Sequence, residues 1–365
     1  MLTSIVATIF ALGLLIFIHE LGHFLLAKRV GIRVEKFSLG FPPNIFSKKV
    51  GDTTYCIGAI PLGGYVKMLG ENPDEEGKGE APDSGKTQFT CDEFMSKTVG
   101  QRAAVIFAGP FMNYLLAIVL LSGVYLAGRP IFDPDRIILD DIQSGEPADK
   151  AGLKNGDQIV ALDGVTIMSY DSMRTQVRAH KGNPLALTWV RGNDTLNATI
   201  TPKIVAEMNE QGGVDSVGVL GFSQKVQRYE RAGFVESISN GFIMTHVLVW
   251  ETAKFLKRLV SGQASIRLVG GPVFIAQQSG REAQKGLRFL FGFIALLSVN
   301  LAVLNVLPIP ILDGGHLLFL LVEKIKGSPL SVKARGIAQQ VGIVFLLGVI
   351  VLVTYNDILR AFRGF

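Results

Sequence analysis

Four long apolar stretches dominate the pattern of hydrophobic and polar residues along the chain. They are Met1–Ile18, which continues through a short polar motif to Ala27, then Ala103–Gly128, Phe289–Leu312 and Gly336–Asn356. Each supplies the roughly 20 residues with which a helix crosses a bilayer. The pattern predicts an α-helical integral membrane protein with four transmembrane helices. The first stretch lacks a basic N-terminal region, so a cleavable signal peptide is not expected.

Composition supports this class of protein. The 365-residue chain is 48% hydrophobic and 18% charged, with a mean hydropathy of +0.36, which is too apolar for an ordinary soluble enzyme of this length. The net charge is +5 and the pI is near 9.1. No basic stripe with interleaved aromatic residues is present, so nucleic-acid binding is not expected.

Positive charges in the loops orient the predicted helices, because cytoplasmic loops are enriched in Lys and Arg. The charges cluster after the first stretch and before the fourth, at Lys28, Arg29, Arg33, Lys36, Lys48, Lys49, Lys324, Lys326, Lys333 and Arg335. We therefore expect residues 28–102 and 323–336 to be cytoplasmic, and both termini and the 129–288 segment to lie on the outer side. Cys56 and Cys91 then face a reducing compartment, where a structural disulfide is not expected.

A metal-binding pattern lies inside the first apolar stretch. His19-Glu20-Leu21-Gly22-His23 follows eighteen residues that have no ionisable side chain. On a helix, histidines at i and i+4 share one face, so both can bind one Zn²⁺ while Glu20 acts as a base on water. Each charge at the bilayer centre costs about 2.5–3.5 kcal/mol, so three ionisable groups there require a metal or a polar cavity. This cost argues against a chance match to the motif.

Two stretches between the first two helices have the composition of strands. Thr53–Ile60 and Tyr65–Leu69 flank Pro61-Leu62-Gly63-Gly64, which predicts a β-hairpin with a glycine turn. Glu71–Gln88 is rich in Gly, Pro, Asp and Glu, which predicts a solvated flexible loop. Two roles of the hairpin stay open: its edge holds an unwound substrate by backbone hydrogen bonds, or it only packs against the helices.

A third metal ligand is expected elsewhere, because catalytic zinc usually has three protein ligands. In Asn305–His316, Pro308 and Pro310 break the helix at membrane depth. Irregular backbone is tolerated there only where protein or a water-filled cavity surrounds it, so the break indicates a site. Asp313 is the favoured ligand and His316 its competitor, and helix capping or a turn is the alternative for both.

These motifs resemble those of the site-2 protease family of intramembrane zinc metalloproteases, in particular its bacterial regulator-of-sigma-E protease branch. The resemblance rests on H-E-x-x-H at His19–His23, G-P-x-x-N at Gly109–Asn113 and N-x-x-P-x-P-x-L-D-G at Asn305–Gly314. It implies that His19, His23 and Asp313 bind zinc and that Glu20 is the general base. His316 would then be only a neighbour of the metal.

The resemblance also implies how substrates bind. Asn113 and Asn305 would line the substrate path, with Asn300 a weaker candidate, and the Thr53–Leu69 hairpin would be membrane-associated. Intramembrane asparagines also join helices by hydrogen bonds, which is the alternative for all three. The implied substrates are single-pass transmembrane proteins of the anti-sigma-factor type, cut in the bacterial inner membrane.

The outer segment resembles a PDZ domain of periplasmic proteases. Within Ile137–Lys203, the glycine-rich sequences Gly145–Leu153 and Gly156–Ile159 predict a strand, a short helix and a turn into a second strand. An inserted α+β PDZ-like domain is therefore expected over residues 129–228. Such domains add an extended peptide to a sheet edge, and steric exclusion of large substrates is the alternative. One such module is expected, whereas some members of this branch carry two.

The remaining segments complete the predicted organisation. Gly241–Trp250 is an apolar run too short to span a membrane, so residues 229–288 are expected to form amphipathic helices at the interface. The halves of the protease core are then residues 1–128 and 289–365.

Three functions are compatible with these features. The first is a zinc endopeptidase that cuts transmembrane segments. The second is a membrane-anchored zinc protease acting on juxtamembrane or soluble segments, including remnant signal peptides. The third is a PDZ-bearing membrane adaptor without activity, against which the intact metal-binding pattern argues.

Overall fold

The computed structural model describes residues 2–71, 90–208 and 214–363. Apart from Glu71, the predicted flexible loop Glu71–Gln88 lies outside the described residues. Within them the helices are α1 (Leu2–Arg29), α2 (Val99–Ala127), α3 (Pro147–Lys150), α4 (Tyr170–His180), α5 (Phe234–Val260), α6 (Pro272–Lys285), α7 (Leu287–Val306), α8 (Asp313–Lys326) and α9 (Val332–Arg363). The strands are β1 (Val34–Val50), β2 (Thr53–Met68), β3 (Arg129–Phe132), β4 (Ile137–Asp140), β5 (Gln158–Leu162), β6 (Val165–Thr166), β7 (Leu185–Arg191), β8 (Asp194–Ile200), β9 (Lys203–Met208), β10 (Val214–Val219), β11 (Ser223–Gln224) and β12 (Val226–Glu230).

The chain divides into two compact units. The first comprises residues 1–124, 234–253 and 271–354, and the second comprises residues 125–233, 254–270 and 355–365. The first unit contains the metal-binding pattern and most of the apolar helices, and the second contains most of the β-structure.

Within the described ranges, four helices are long and apolar enough to cross a membrane: α1, α2, α7 and the Lys333–Leu359 part of α9. They coincide with the four apolar stretches of the sequence. The third helix is shorter than expected, because α7 ends at Val306 and not at Leu312. Pro308 has no N–H to continue the helical hydrogen bonds and disfavours helical backbone in the residue before it.

Small residues allow the helices of the first unit to approach closely. Ala7 and Ala11 of α1 are buried in a cluster with Leu290 and Ile294 of α7. Between membrane helices, such close contact gains van der Waals packing that large side chains would prevent. This packing brings α1, which carries the metal-binding pattern, against the helix that leads to Asp313.

The predicted β-hairpin is wrong in its pairing. Thr53–Ile60 and Tyr65–Leu69 do lie largely in β2, but they pair with β1 and not with each other. Phe37 of β1 pairs with Val66 on one side and with Tyr55 on the other. The composition of β1 does not signal a strand, because Pro42-Pro43 and several lysines interrupt its strand-forming residues. As a result, the 64–68 strand lies at an edge of the described sheet.

The second unit is built on a six-stranded sheet in the order β11-β4-β5-β7-β8, with β6 on β5. Its core contains buried apolar residues of β5 and β7, among them Leu162, Leu187 and Trp189. Strand β4, the short helix α3 and a turn into β5 follow in the predicted order. At the boundary of the unit, β3 and β12 pair with each other.

Helix α5 matches the amphipathic segment predicted after the β-rich unit. Gly241 and Thr245 are buried, whereas Phe242 and Trp250 are 49% and 63% exposed. The helix is longer than the apolar run that predicted it, because polar residues extend it at both ends.

Candidate metal centre

His19 and His23 lie one turn apart on α1 and face the interior of the first unit. Each is 8% exposed, and their Nε2 atoms are 3.2 Å apart. The i, i+4 spacing puts both rings on one face of the helix. Gly22 makes room beside them, because a Cβ at this position would lie 2.3 Å from the carbonyl oxygen of Ala108.

The carboxylate of Asp313 lies close to both histidines. It is the first residue of α8, after the irregular segment that follows α7. Its Oδ2 lies 3.1 Å from Nε2 of His19, and its Oδ1 lies 3.6 Å from Nε2 of His23. Two glycines hold the start of α8 in place. A Cβ on Gly314 would lie 2.2 Å from the carbonyl oxygen of Val306, and one on Gly315 equally close to that of Ile309.

The three side chains fit a zinc ion. Donor atoms about 2.0–2.2 Å from a tetrahedral Zn²⁺ lie roughly 3.3–3.6 Å from one another, close to the separations of 3.1–3.6 Å found here. Asp313 Oδ2 is also buried and faces Nε2 of His19. Two imidazoles and a carboxylate oxygen converge on one point, and a cation there would satisfy all three groups.

His316, the competing ligand, is not part of this cluster. Among the described residues, the groups with donor atoms close enough to share a metal are His19, His23 and Asp313. His316 lies one turn further along α8 and contacts Phe319 edge to face, with ring centroids 6.1 Å apart.

Helix α2 packs closely against both histidines. The carbonyl oxygen of Val105 lies 2.9 Å from Nδ1 of His23, and the Asn113 amide lies 3.2 Å from Nδ1 of His19. A Cβ on Gly109 would lie 2.3 Å from Nε2 of His23. The G-P-x-x-N motif signalled this glycine, but no sequence signal identifies the Val105 carbonyl, because any residue type provides one.

Glu20 lies beside the edge strand of the β1–β2 sheet. A Cβ on Gly64 would lie 3.0 Å from Cγ of Glu20, and the Glu20 carboxylate interacts with the backbone N–H of Val66. The base predicted from the motif is therefore next to the strand predicted to hold substrate.

The other two asparagines differ in their surroundings. The Nδ2 atom of Asn305 lies 3.4 Å from Nε2 of His19, and the residue is half-buried. Asn300 Oδ1 instead accepts a hydrogen bond from Thr252 Oγ1 of α5, at 2.9 Å. The contact of Asn300 corresponds to the helix-joining alternative.

Two histidines and a carboxylate that could hold one metal ion, beside a glutamate and among long apolar helices, are the arrangement expected of a membrane metalloprotease. The sequence model of peptidase family M50 matches residues 7–349, and the chain belongs to this family. It is a zinc metalloprotease, and its cofactor is Zn²⁺.

Named relatives match over almost their whole length. The zinc metalloprotease RasP of Geobacillus kaustophilus is 32% identical, and the match covers 99% of each chain. The regulator of sigma-E protease RseP of Salmonella typhimurium is 30% identical over 98% of this chain and 99% of its own. The length of these matches supports a site-2 protease type of membrane enzyme.

One solved structure is similar to about a quarter of this chain. The PDZ domain of an SdrC-like protein from Listeria innocua is 18% identical, with a TM-score of 0.21, over 26% of this chain and all of that one. A likeness at this level carries no weight for function.

Proposed function

We propose that this zinc metalloprotease cuts peptide bonds within the transmembrane segments of single-pass membrane proteins, in a bacterial inner membrane. His19, His23 and Asp313 would hold the zinc. The supporting observation is the convergence of their donor atoms, 3.1–3.6 Å apart, on helices apolar enough to span a bilayer. Substrates of the anti-sigma-factor type are part of this proposal, and the Salmonella relative is named a regulator of sigma-E protease.

In this proposal, Glu20 acts first as the general base and then as the general acid. Zinc, when bound, supplies Lewis-acid polarisation of the peptide carbonyl and of water. Glu20 takes a proton from the attacking water and delivers it to the nitrogen of the leaving amine. Its position next to both histidines and to the Val66 N–H supports this role.

Asn305 binds the substrate carbonyl in this proposal. Its amide nitrogen is 3.4 Å from His19 Nε2, and the residue keeps part of its surface exposed. A donor at that point can stabilise the negative charge that develops on the carbonyl oxygen. Asn300 is a weaker candidate, because its amide oxygen already accepts a hydrogen bond from Thr252.

The substrate binds as an added strand on the 64–68 edge of β2. A transmembrane helix hides its peptide bonds, so the segment must unwind before cleavage, and lipid cannot satisfy the exposed backbone. A strand edge supplies the missing hydrogen bonds. Exposed Phe41, Ile45 and Phe46, at 43%, 73% and 55%, support a membrane-associated sheet.

The loop charges support one topology. Residues 28–102 and 323–336 lie on the cytoplasmic side, the four apolar helices cross the bilayer, and residues 129–228 form a PDZ-like domain on the periplasmic side. That domain either binds an extended peptide of the substrate or excludes substrates with large outer domains.

Cleavage of a defined substrate tests the proposal. The purified full-length chain in proteoliposomes is given a single-pass fusion protein, and mass spectrometry locates the cut. A cut inside the apolar segment is expected. A cut only in the flanking residues would favour the juxtamembrane protease instead, and zinc-loaded protein that cuts neither region would favour the adaptor.

A further inference from the structure

Asn113 is enclosed where α1, α2 and α7 meet. The residue is 0% exposed, and Ser298 Oγ of α7 donates a hydrogen bond to its backbone oxygen at 2.7 Å. Its amide nitrogen lies 3.2 Å from Nδ1 of His19, while its amide oxygen Oδ1 is buried without a hydrogen-bond partner. A side chain so enclosed offers no surface to a substrate.

A histidine that binds zinc through one ring nitrogen needs a hydrogen-bond partner for the other. The Nε2 atoms of both histidines face Asp313, so zinc binding requires the lone pair on Nε2 and the proton on Nδ1. A buried Nδ1–H without an acceptor is costly. His23 donates its proton to the carbonyl oxygen of Val105, at 2.9 Å.

The Asn113 amide is the corresponding group for His19. The two ends of an amide have nearly the same size, so a half-turn about its last side-chain bond exchanges Oδ1 and Nδ2. The unpartnered Oδ1 would then accept the proton of His19 Nδ1. One rotation pairs Oδ1 with Nδ1–H, moves Nδ2 to the position that Oδ1 now occupies, and leaves the Nε2 lone pair free for the metal.

The backbone of α2 brings these groups into position. Val105, Gly109 and Asn113 are spaced four residues apart and lie on one face of the helix. A Cβ on Gly109 would lie 2.8 Å from Cε1 of His19 and still closer to His23. A single stripe of α2 therefore supplies the acceptor for His23, the space for both rings and the amide beside His19.

We propose that Asn113 is a positioning residue of the zinc centre, which accepts the Nδ1 proton of His19 and thereby fixes the ring for metal binding, and that it does not contact substrate. This inference rests on the proposed zinc ligands. It assigns Asn113 a different role from the one implied by the family resemblance. Groups that hold zinc-bound histidines typically contribute about 10- to 100-fold in metal affinity.

Zinc affinity of full-length variants tests the role. Competition with a chelator is measured for wild type, Asn113→Leu and Asn113→Asp, and the visible spectrum is recorded after Co²⁺ substitution. Leu has a similar volume and no acceptor, so zinc affinity should fall about 10- to 100-fold. Asp retains an acceptor, so affinity and spectrum should stay close to those of wild type.

Asn300→Leu is the matched control, since it also removes an amide from an apolar helix. Its zinc affinity should be unchanged. If Asn113→Leu does not fold, Asn113→Ala replaces it, with the same expected loss. Unchanged zinc affinity with a raised KM would overturn the positioning role and restore substrate contact. Failure of the wild-type chain to bind zinc would instead overturn the proposed site as a whole.

Discussion

Arg102 and Glu323 form a buried bidentate ion pair between α2 and α8. Nη1 of Arg102 lies 3.2 Å from Oε2 of Glu323, Nη2 donates to Oε1, and the residues are 4% and 7% exposed. Arg335 of α9 lies 3.9 Å from the same carboxylate. The pair therefore ties the helix that starts at Asp313 to the helix that packs on the histidines.

Breaking this pair on one side should destabilise the protein. Glu323→Gln leaves Arg102 buried without its counter-charge, which typically costs about 3–5 kcal/mol, whereas replacing both partners by apolar residues is often close to neutral. Glu323→Gln should thus lower the midpoint of thermal unfolding in detergent much more than the double variant Arg102→Met/Glu323→Leu. Equal losses in the two variants would show that the packing of α8 does not depend on the balance of charge.

Glu20→Gln should separate metal binding from catalysis. The amide can neither accept a proton from water nor pass one to the leaving amine, but it leaves His19, His23 and Asp313 intact. The variant should keep its zinc by metal analysis and lose peptide cleavage. Glu282→Gln on α6 is the matched control and should cleave like wild type. A near wild-type rate for Glu20→Gln would refute the base assignment.

Asp313→Asn and His316→Ala should differ in zinc content. The carboxylate of Asp313 faces both Nε2 atoms, and its removal should weaken zinc binding and abolish cleavage. His316 is outside the cluster of donor atoms, so His316→Ala should retain zinc. The opposite pattern in the purified variants would transfer the third ligand to His316.

The features that could be predicted are those that depend on a local pattern of residues. The four apolar helices, the break at Pro308 and the shared face of His19 and His23 follow from runs, helix breakers and spacing. The convergence of Asp313 on the histidines was a hypothesis from ligand chemistry and family resemblance, and the geometry of the first unit agrees with it.

Contacts between distant residues could not be predicted in the same way. Arg102 and Glu323 are 221 positions apart, and neither residue type signals a buried partner. The pairing of β1 with two parts of β2 was missed because strand composition does not specify which strands meet. The family resemblance implies substrate contact for Asn113, whereas its burial beside His19 depends on how α1 and α2 pack, which local sequence does not specify.

Acid should remove one stabilising interaction from the second unit. Burial by itself raises the pKa of Asp157, but hydrogen bonds from Arg191 and from the Lys154 N–H outweigh it, so the pKa lies below its usual value. A lowered pKa in the folded state stabilises the fold above the unfolded pKa, near 4, and this contribution is lost as the pH falls through the folded value.

The variant Asp157→Asn tests this effect, because an amide resembles the protonated acid. In a Trp250→Phe background, the fluorescence of buried Trp189 reports on the second unit. The Asp157→Asn substitution should lower the free energy of unfolding at pH 7. This loss should shrink below about pH 4. A difference that does not change with pH would exclude a contribution from the ionised Asp157.

Cleavage rates should depend on the backbone of the 64–68 edge and on the helical stability of the substrate. If the edge binds substrate by strand addition, proline at Val66, whose N–H faces Glu20 and not β1, removes an edge N–H and should slow cleavage more than alanine at the same position. Gly or Pro within the substrate span should speed cleavage and added Leu should slow it, because unwinding exposes backbone groups that lipid cannot satisfy. The measurement is a rate series on one fusion substrate, repeated with each edge variant. Equal rates across the substrate series would exclude unwinding as a required step. Equal rates for the proline and alanine variants would leave the sheet as a scaffold for α1 and Glu20.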